Sequence, residues 1–108
     1  MLDADQIYKA VADAGEAWAD KKAAYELLDD MTATIRADVT TDFYSSCSSK
    51  GEAVERALAS KIYKDHLANL SGARRAWLLA EVKYKSVQLL AELRRSEEST
   101  RRAEMGMR

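Results

Sequence analysis

Residues 76–102 read AWLLAEVKYKSVQLLAELRRSEESTRR, a stretch with neither proline nor glycine. Trp77, Ala80, Tyr84, Val87 and Ala91 recur in a 3-then-4 rhythm that begins upstream at Leu70 and Ala73. Leu78, Leu79, Val82, Leu89, Leu90 and Leu93 widen the apolar face. A seven-residue interval returns side chains to one side of an α-helix, so this stretch predicts a long helix with a coiled-coil-like seam. Past Leu93 the pattern RRSEESTRRAE has almost nothing to bury. There Arg94 with Glu98, Glu97 with Arg101 and Glu98 with Arg102 stand four apart, a spacing that stabilises an exposed helix by a few tenths of a kcal/mol per pair, roughly. Residues 94–108 therefore read as a helical tail in solvent, fraying near Gly106.

Working back from this rod, residues 4–39 carry Ala4, Ile7, Val11, Ala14, Trp18, Tyr25, Leu28, Ile35 and Val39 in the same rhythm, interrupted by Lys21 and Thr32. The segment FYSSCSSKGE, residues 43–52, concentrates serines whose side chains compete with a helical backbone. Ser49 and Glu52 match a capping box for the next helix, which carries Val54, Leu58, Ile62 and Leu67. The expectation is an all-α protein: a long helical hairpin with helices over 3–42 and 52–104 and a turn at 43–51. A break near Ser71 and Gly72, in NLSGARR, would make three helices, although one glycine costs a helix only about 1 kcal/mol. The 108 residues read as a single helical domain.

Composition supports helix and thins the core. Proline is absent and there are four glycines. Much of the 47% hydrophobic share is alanine, which packs closely but buries little area. A chain of 12.1 kDa buries only about two thirds of its unfolded surface. The apolar face over 70–93 exceeds what the interrupted first seam can cover, and this predicts a homo-oligomer, with a dimer favoured. Residues expected at packing or oligomer interfaces are Trp18, Tyr25, Leu28, Leu70, Trp77, Tyr84, Val87 and Leu90.

The net charge of -1 conceals a division. Residues 1–49 hold Lys9, Lys21, Lys22 and Arg36 against ten acids, whereas residues 50–108 hold thirteen basic residues against eight acids. An acidic helix lying along a basic one accounts for this without any further partner and is favoured. The alternative is nucleic-acid contact by Arg74, Arg75, Lys83, Lys85, Arg94, Arg95, Arg101 and Arg102, diluted by Glu97, Glu98 and Glu104 and not aligned in one stripe. Trp18, Tyr25, Trp77 and Tyr84 fall on the seams, where aromatic rings belong to a core more often than to base-stacking platforms.

Little here can perform catalysis. His66 is the only histidine, and Asp65 beside it points about 100° away on a helix, so no relay follows. Glu26, Asp29 and Asp30 read as a solvated face, since no Glu-x-x-His repeat supports a metal site. There is no glycine-rich phosphate loop. Cys47, the single cysteine, reads as an ordinary loop thiol with Lys50 as its nearest cation. No enzyme activity, cofactor or metal is expected. No apolar run is long enough to span a membrane, and the start MLDADQIYKA lacks an apolar signal core, which predicts a cytoplasmic protein.

Ala80, Glu81, Tyr84, Lys85 and Ser86, followed by Leu90, Leu93, Arg94, Glu98 and Arg102, form an AE..YK segment leading into a helix rich in leucine, arginine and glutamate. With the acidic alanine-rich first helix and the polar joint, the pattern over residues 20–104 resembles small all-helical phage and prophage accessory proteins, some encoded near recombination or single-strand-binding genes. The resemblance implies a non-enzymatic accessory of DNA metabolism, or an adaptor for a host or phage protein, in the host cytoplasm. It carries over no catalytic residue. Secreted helical hairpins with a Trp-x-Gly turn are a different pattern, since Trp18 is followed by Ala-Asp and Trp77 by Leu-Leu.

Overall fold

The computed structural model describes residues 3–106. Helix α1 is Ala4–Phe43, a 3-10 turn follows at Tyr44–Ser46, α2 is Lys50–Ala59 and α3 is Lys61–Gly106. The protein is an all-α helical hairpin whose two long arms, α1 and α3, are joined through α2. No strand occurs among the described residues. The backbone contains no cis peptide and no positive φ there.

Local chemistry fixes each boundary. Asp3 caps α1 reciprocally: the Gln6 N–H donates to Asp3 Oδ1 at 2.8 Å and the Asp3 N–H donates to Gln6 Oε1 at 2.9 Å, satisfying two amides that a helix start leaves unpaired. At the joint, Cys47 is extended and Ser49 caps α2 by accepting from the Glu52 N–H at 3.1 Å. The capping box forms with one displacement. The Glu52 carboxylate reaches past Ser49 to Ser48, accepting from its hydroxyl at 2.7 Å and its N–H at 3.1 Å.

The expected break at Ser71 and Gly72 is not there. Helix α3 runs through both residues, and the third helix arises instead from a break at Ser60, whose ψ of 152° leaves the helical region. One hydroxyl closes one helix and opens the next: Ser60 Oγ donates to the Ala57 carbonyl at 2.7 Å and accepts from the Tyr63 N–H at 3.2 Å. Gly72 has no such alternative partner, and its cost of about 1 kcal/mol is too small to interrupt a helix of this length.

Contacts divide the chain into two compact units. One joins α1 up to Asp20 with α3 from Leu78 onward; the other is Lys21–Trp77. In the first, Ile7 and Ala14 are buried and Val11, Trp18, Ala80, Tyr84, Val87 and Ala91 are half-buried along the seam. In the second, Val39, Thr40 and His66 are buried, and Ala53 and Ala57 of α2 are completely enclosed. No large side chain is fully buried anywhere among the described residues, so both cores are thin. In the tail Arg94 and Glu98 are half-buried and joined at 3.5 Å, whereas 99–106 are exposed. Helix α3 continues to Gly106, and any fraying at 107–108 lies outside the described residues.

Gly15 has a packing reason that Gly72 lacks. A Cβ at Gly15 would meet the Tyr84 ring at 3.1 Å, whereas one at Gly72 would meet nothing within 4 Å. Gly72→Ala is expected to stabilise the protein by about 1 kcal/mol through helix propensity alone. Gly15→Ala has the same propensity gain, but the ring it displaces is held against Trp18, and a net loss is expected. Thermal unfolding followed by circular dichroism should show the melting temperature rising for the first and falling for the second.

The Ser48 hydroxyl, then its N–H, and Arg56 at 3.2 Å hold the Glu52 carboxyl below its ordinary value. A depressed acid contributes stability above the usual glutamate range and loses it as pH falls through the folded value. In a carboxyl NMR titration Glu52 should therefore titrate low, and Ser48→Ala should bring its midpoint up.

Candidate interaction surface

The seams are keyed by two aromatic stacks. Trp18 of α1 lies on Tyr84 of α3 with ring centroids 5.8 Å apart and planes inclined by 30°. In the other unit the roles exchange: Tyr25 of α1 lies on Trp77 of α3 at 5.3 Å and 22°. Such pairs contribute about 0.5–1.5 kcal/mol beyond their buried area. The Trp77 indole N–H is enclosed without a hydrogen-bond partner, so this stack is held by shape rather than by polar bonding.

Thr32 does not interrupt the first seam; it belongs to it. Its hydroxyl lies 3.3 Å from the Leu28 carbonyl of its own helix and makes a 2.8 Å hydrogen bond with His66 Nε2 across the seam. The single histidine is thus a buried cross-helix strut. Lys21 is exposed, and Lys22 takes the half-buried place beside it.

The interface residues expected from sequence divide between two faces. Trp18, Tyr25, Leu28, Leu70, Trp77, Tyr84 and Val87 are half-buried along the seams. Leu90 is not; it belongs to an exposed stripe on the reverse of α3. In that stripe Leu79, Val82, Ser86, Leu89 and Leu93 repeat the 3-then-4 rhythm, with Leu78 and Leu90 beside them. At 3.6 residues per turn its axis lies roughly 150° from that of Ala80, Tyr84, Val87 and Ala91. Val82 is 62% exposed, Leu79 58% and Leu89 57%. Single exposed leucines are ordinary; here Leu79, Val82, Leu89 and Leu93 are exposed together on one side of the helix, with Ser86 among them.

The charged candidates do not assemble. Arg94 is half-buried; Arg74, Arg75, Lys83, Lys85, Arg95, Arg101 and Arg102 are exposed. Neighbours such as Arg94 and Arg95, or Arg101 and Arg102, point about 100° apart, so these cations wrap the helix rather than line it. Lys85 pairs with Glu81 at 3.6 Å. A cleft of about 320 Å³ between the start of α1 and the tail has Ile7 and Val11 in its lining, with Arg94, Arg95, Glu92 and Glu98 contributing both signs of charge. Cys47 is half-buried and Glu26, Asp29 and Asp30 are exposed. No three His, Cys, Asp or Glu side chains cluster as metal ligands among the described residues, and no helix there is long and apolar enough to cross a membrane.

No protein-family model matches this chain, and neither a curated protein nor a solved structure is significantly similar to it.

Thr32→Val keeps the shape of the side chain and removes the oxygen that His66 Nε2 meets. An unsatisfied buried polar group costs about 1–3 kcal/mol, so urea unfolding should show a loss of that size. Thr41→Val, whose exposed hydroxyl bonds only the Ala37 carbonyl of its own helix, should change stability far less.

Proposed function

We propose that this chain is a non-enzymatic accessory or adaptor protein, of the phage type that its sequence resembles, acting through helix-mediated contact with other protein in the cytoplasm. The observation that carries the reading is the exposed stripe of Leu79, Val82, Leu89 and Leu93, opposite the face of α3 that the hairpin uses for its own packing. Water contact on such a stripe is unfavourable by about 25 cal/mol per Å² of apolar surface, and a partner helix relieves it. A role in phage DNA metabolism or in modulating a host factor is the form of this proposal that the resemblance suggests.

Direct nucleic-acid binding is the weaker reading. Phosphate recognition needs cations that converge on a backbone, and here they are dispersed around α3 and alternate with Glu97, Glu98 and Glu104. The two readings separate in an affinity capture from host lysate with and without nuclease. The adaptor reading expects a protein retained after nuclease treatment and lost from a Val82→Glu, Leu89→Glu variant that keeps its helical circular dichroism. Capture abolished by nuclease, or salt-sensitive DNA binding whose slope flattens when Arg94, Arg95, Arg101 and Arg102 are replaced, would instead establish the nucleic-acid reading.

A further inference from the structure

We infer that the exposed stripe on α3 pairs with the same stripe of a second copy of this chain, in antiparallel orientation, with Lys85 of each copy beside Glu92 of the other. The inference rests on the reading of that stripe as the interaction surface and names its first occupant.

Leu79, Val82, Ser86, Leu89, Leu93 and Ser96 occupy the alternating inward positions of a second heptad seam. One flank of the seam carries Leu78, Lys85 and Glu92; the other carries Lys83, Leu90 and Glu97. The stripe from Leu79 to Leu93 is about 21 Å long at 1.5 Å per residue. Both flanks and the stripe lie on one continuous helix within a single compact unit.

Two like helices can meet along such a seam in two ways. In a parallel pair the twofold axis runs along the helices, so unlike flanks face each other, and Glu92 is brought against Glu97 of the second copy. In an antiparallel pair the axis is perpendicular to the plane of the helices, and each flank faces its own counterpart. Setting Val82 opposite Leu93 and Ser86 opposite Leu89 then places Lys85 beside Glu92, twice by symmetry. On the other flank the aliphatic stem of Lys83 covers Leu90, a residue the hairpin leaves exposed. Sliding one chain back by a heptad opposes Lys85 to Lys85 instead. Opposite charges at this spacing select partner orientation and register, while the apolar layers supply the attraction.

Lys85 is free to reach across. Its side chain is 71% exposed, and its bond to Glu81, four residues earlier, is a long 3.6 Å. Glu92 is exposed. The short stripe and its central Ser86 predict a modest affinity, of roughly micromolar order, because an interface near the small end of the specific range has little apolar area to offset the cost of association.

Sedimentation equilibrium across the micromolar range decides the question. The wild type should pass from one chain to two. Lys85→Glu alone and Glu92→Lys alone each set like charges face to face on both sides of the axis and should raise the dimer Kd about tenfold. The double variant restores opposite charges and should return the Kd to near the wild-type value, a recovery that lost helicity cannot imitate. A wild-type chain that stays single throughout, or a dimer indifferent to all three variants, overturns the inference. If the chain stays single while Val82→Glu, Leu89→Glu still abolishes nuclease-resistant capture, the adaptor reading stands and only self-pairing falls.

Discussion

Each half of this hairpin depends on a tryptophan of one helix stacked against a tyrosine of the other. Helix α1 presents Trp18 and then Tyr25; α3 presents Trp77 and then Tyr84, and within each unit a large indole meets a smaller phenol. A two-helix seam has no third layer to enclose a ring. The surroundings must therefore be small, and they are: Gly15 leaves the Tyr84 ring the room that a Cβ would crowd, and Ala14 and Ala80 sit in the same stretch of seam. With no large side chain fully buried, most of what distinguishes one helix register from another comes from these rings. Alanine elsewhere along the seam tolerates a slip; a tryptophan resting on a tyrosine does not.

Polar residues add direction where apolar area is scarce. The Thr32–His66 bond ties α1 to α3 within a buried site, and such a bond is worth little net but is costly to leave half made. Serines do the equivalent at the joint, where Ser48, Ser49 and Ser60 each use a hydroxyl to end or begin a helix. The described ion pairs Glu52–Arg56, Glu81–Lys85 and Arg94–Glu98 each connect residues four apart on one helix, stiffening an arm rather than closing the hairpin.

The seven-residue rhythm and the absence of proline made the two long helices legible from sequence, and the serine-rich joint was placed to within a few residues. What escaped were decisions made by single hydroxyls. Ser60 has no neighbouring glycine or proline to advertise a break, yet its side chain can substitute for two backbone partners at once, whereas Gly72, the conspicuous candidate, offers no substitute bond. Thr32 read as an interruption because polarity alone does not reveal that His66 waits across the seam. Asp3 with Gln6 was a readable capping box that hydrophobic spacing overlooked. The leucines of α3 were seen as one wide face, though the numbers 79, 82, 86, 89 and 93 already contain a second rhythm with its own axis.

That second axis changes what the rod is. A helix with one broad apolar face turns it toward a single neighbour, and any excess at the edges is a packing defect. A helix with two narrow stripes roughly 150° apart can face two neighbours at once, one on each side. Helix α1 takes the first stripe, using Ala80, Tyr84, Val87 and Ala91, and it cannot also reach the reverse side of the same helix. The charges divide along the same lines. Past Leu93 both stripes give way to arginine and glutamate: the leucines end there, and the seam with the start of α1 continues in polar form through the half-buried Arg94 and Glu98.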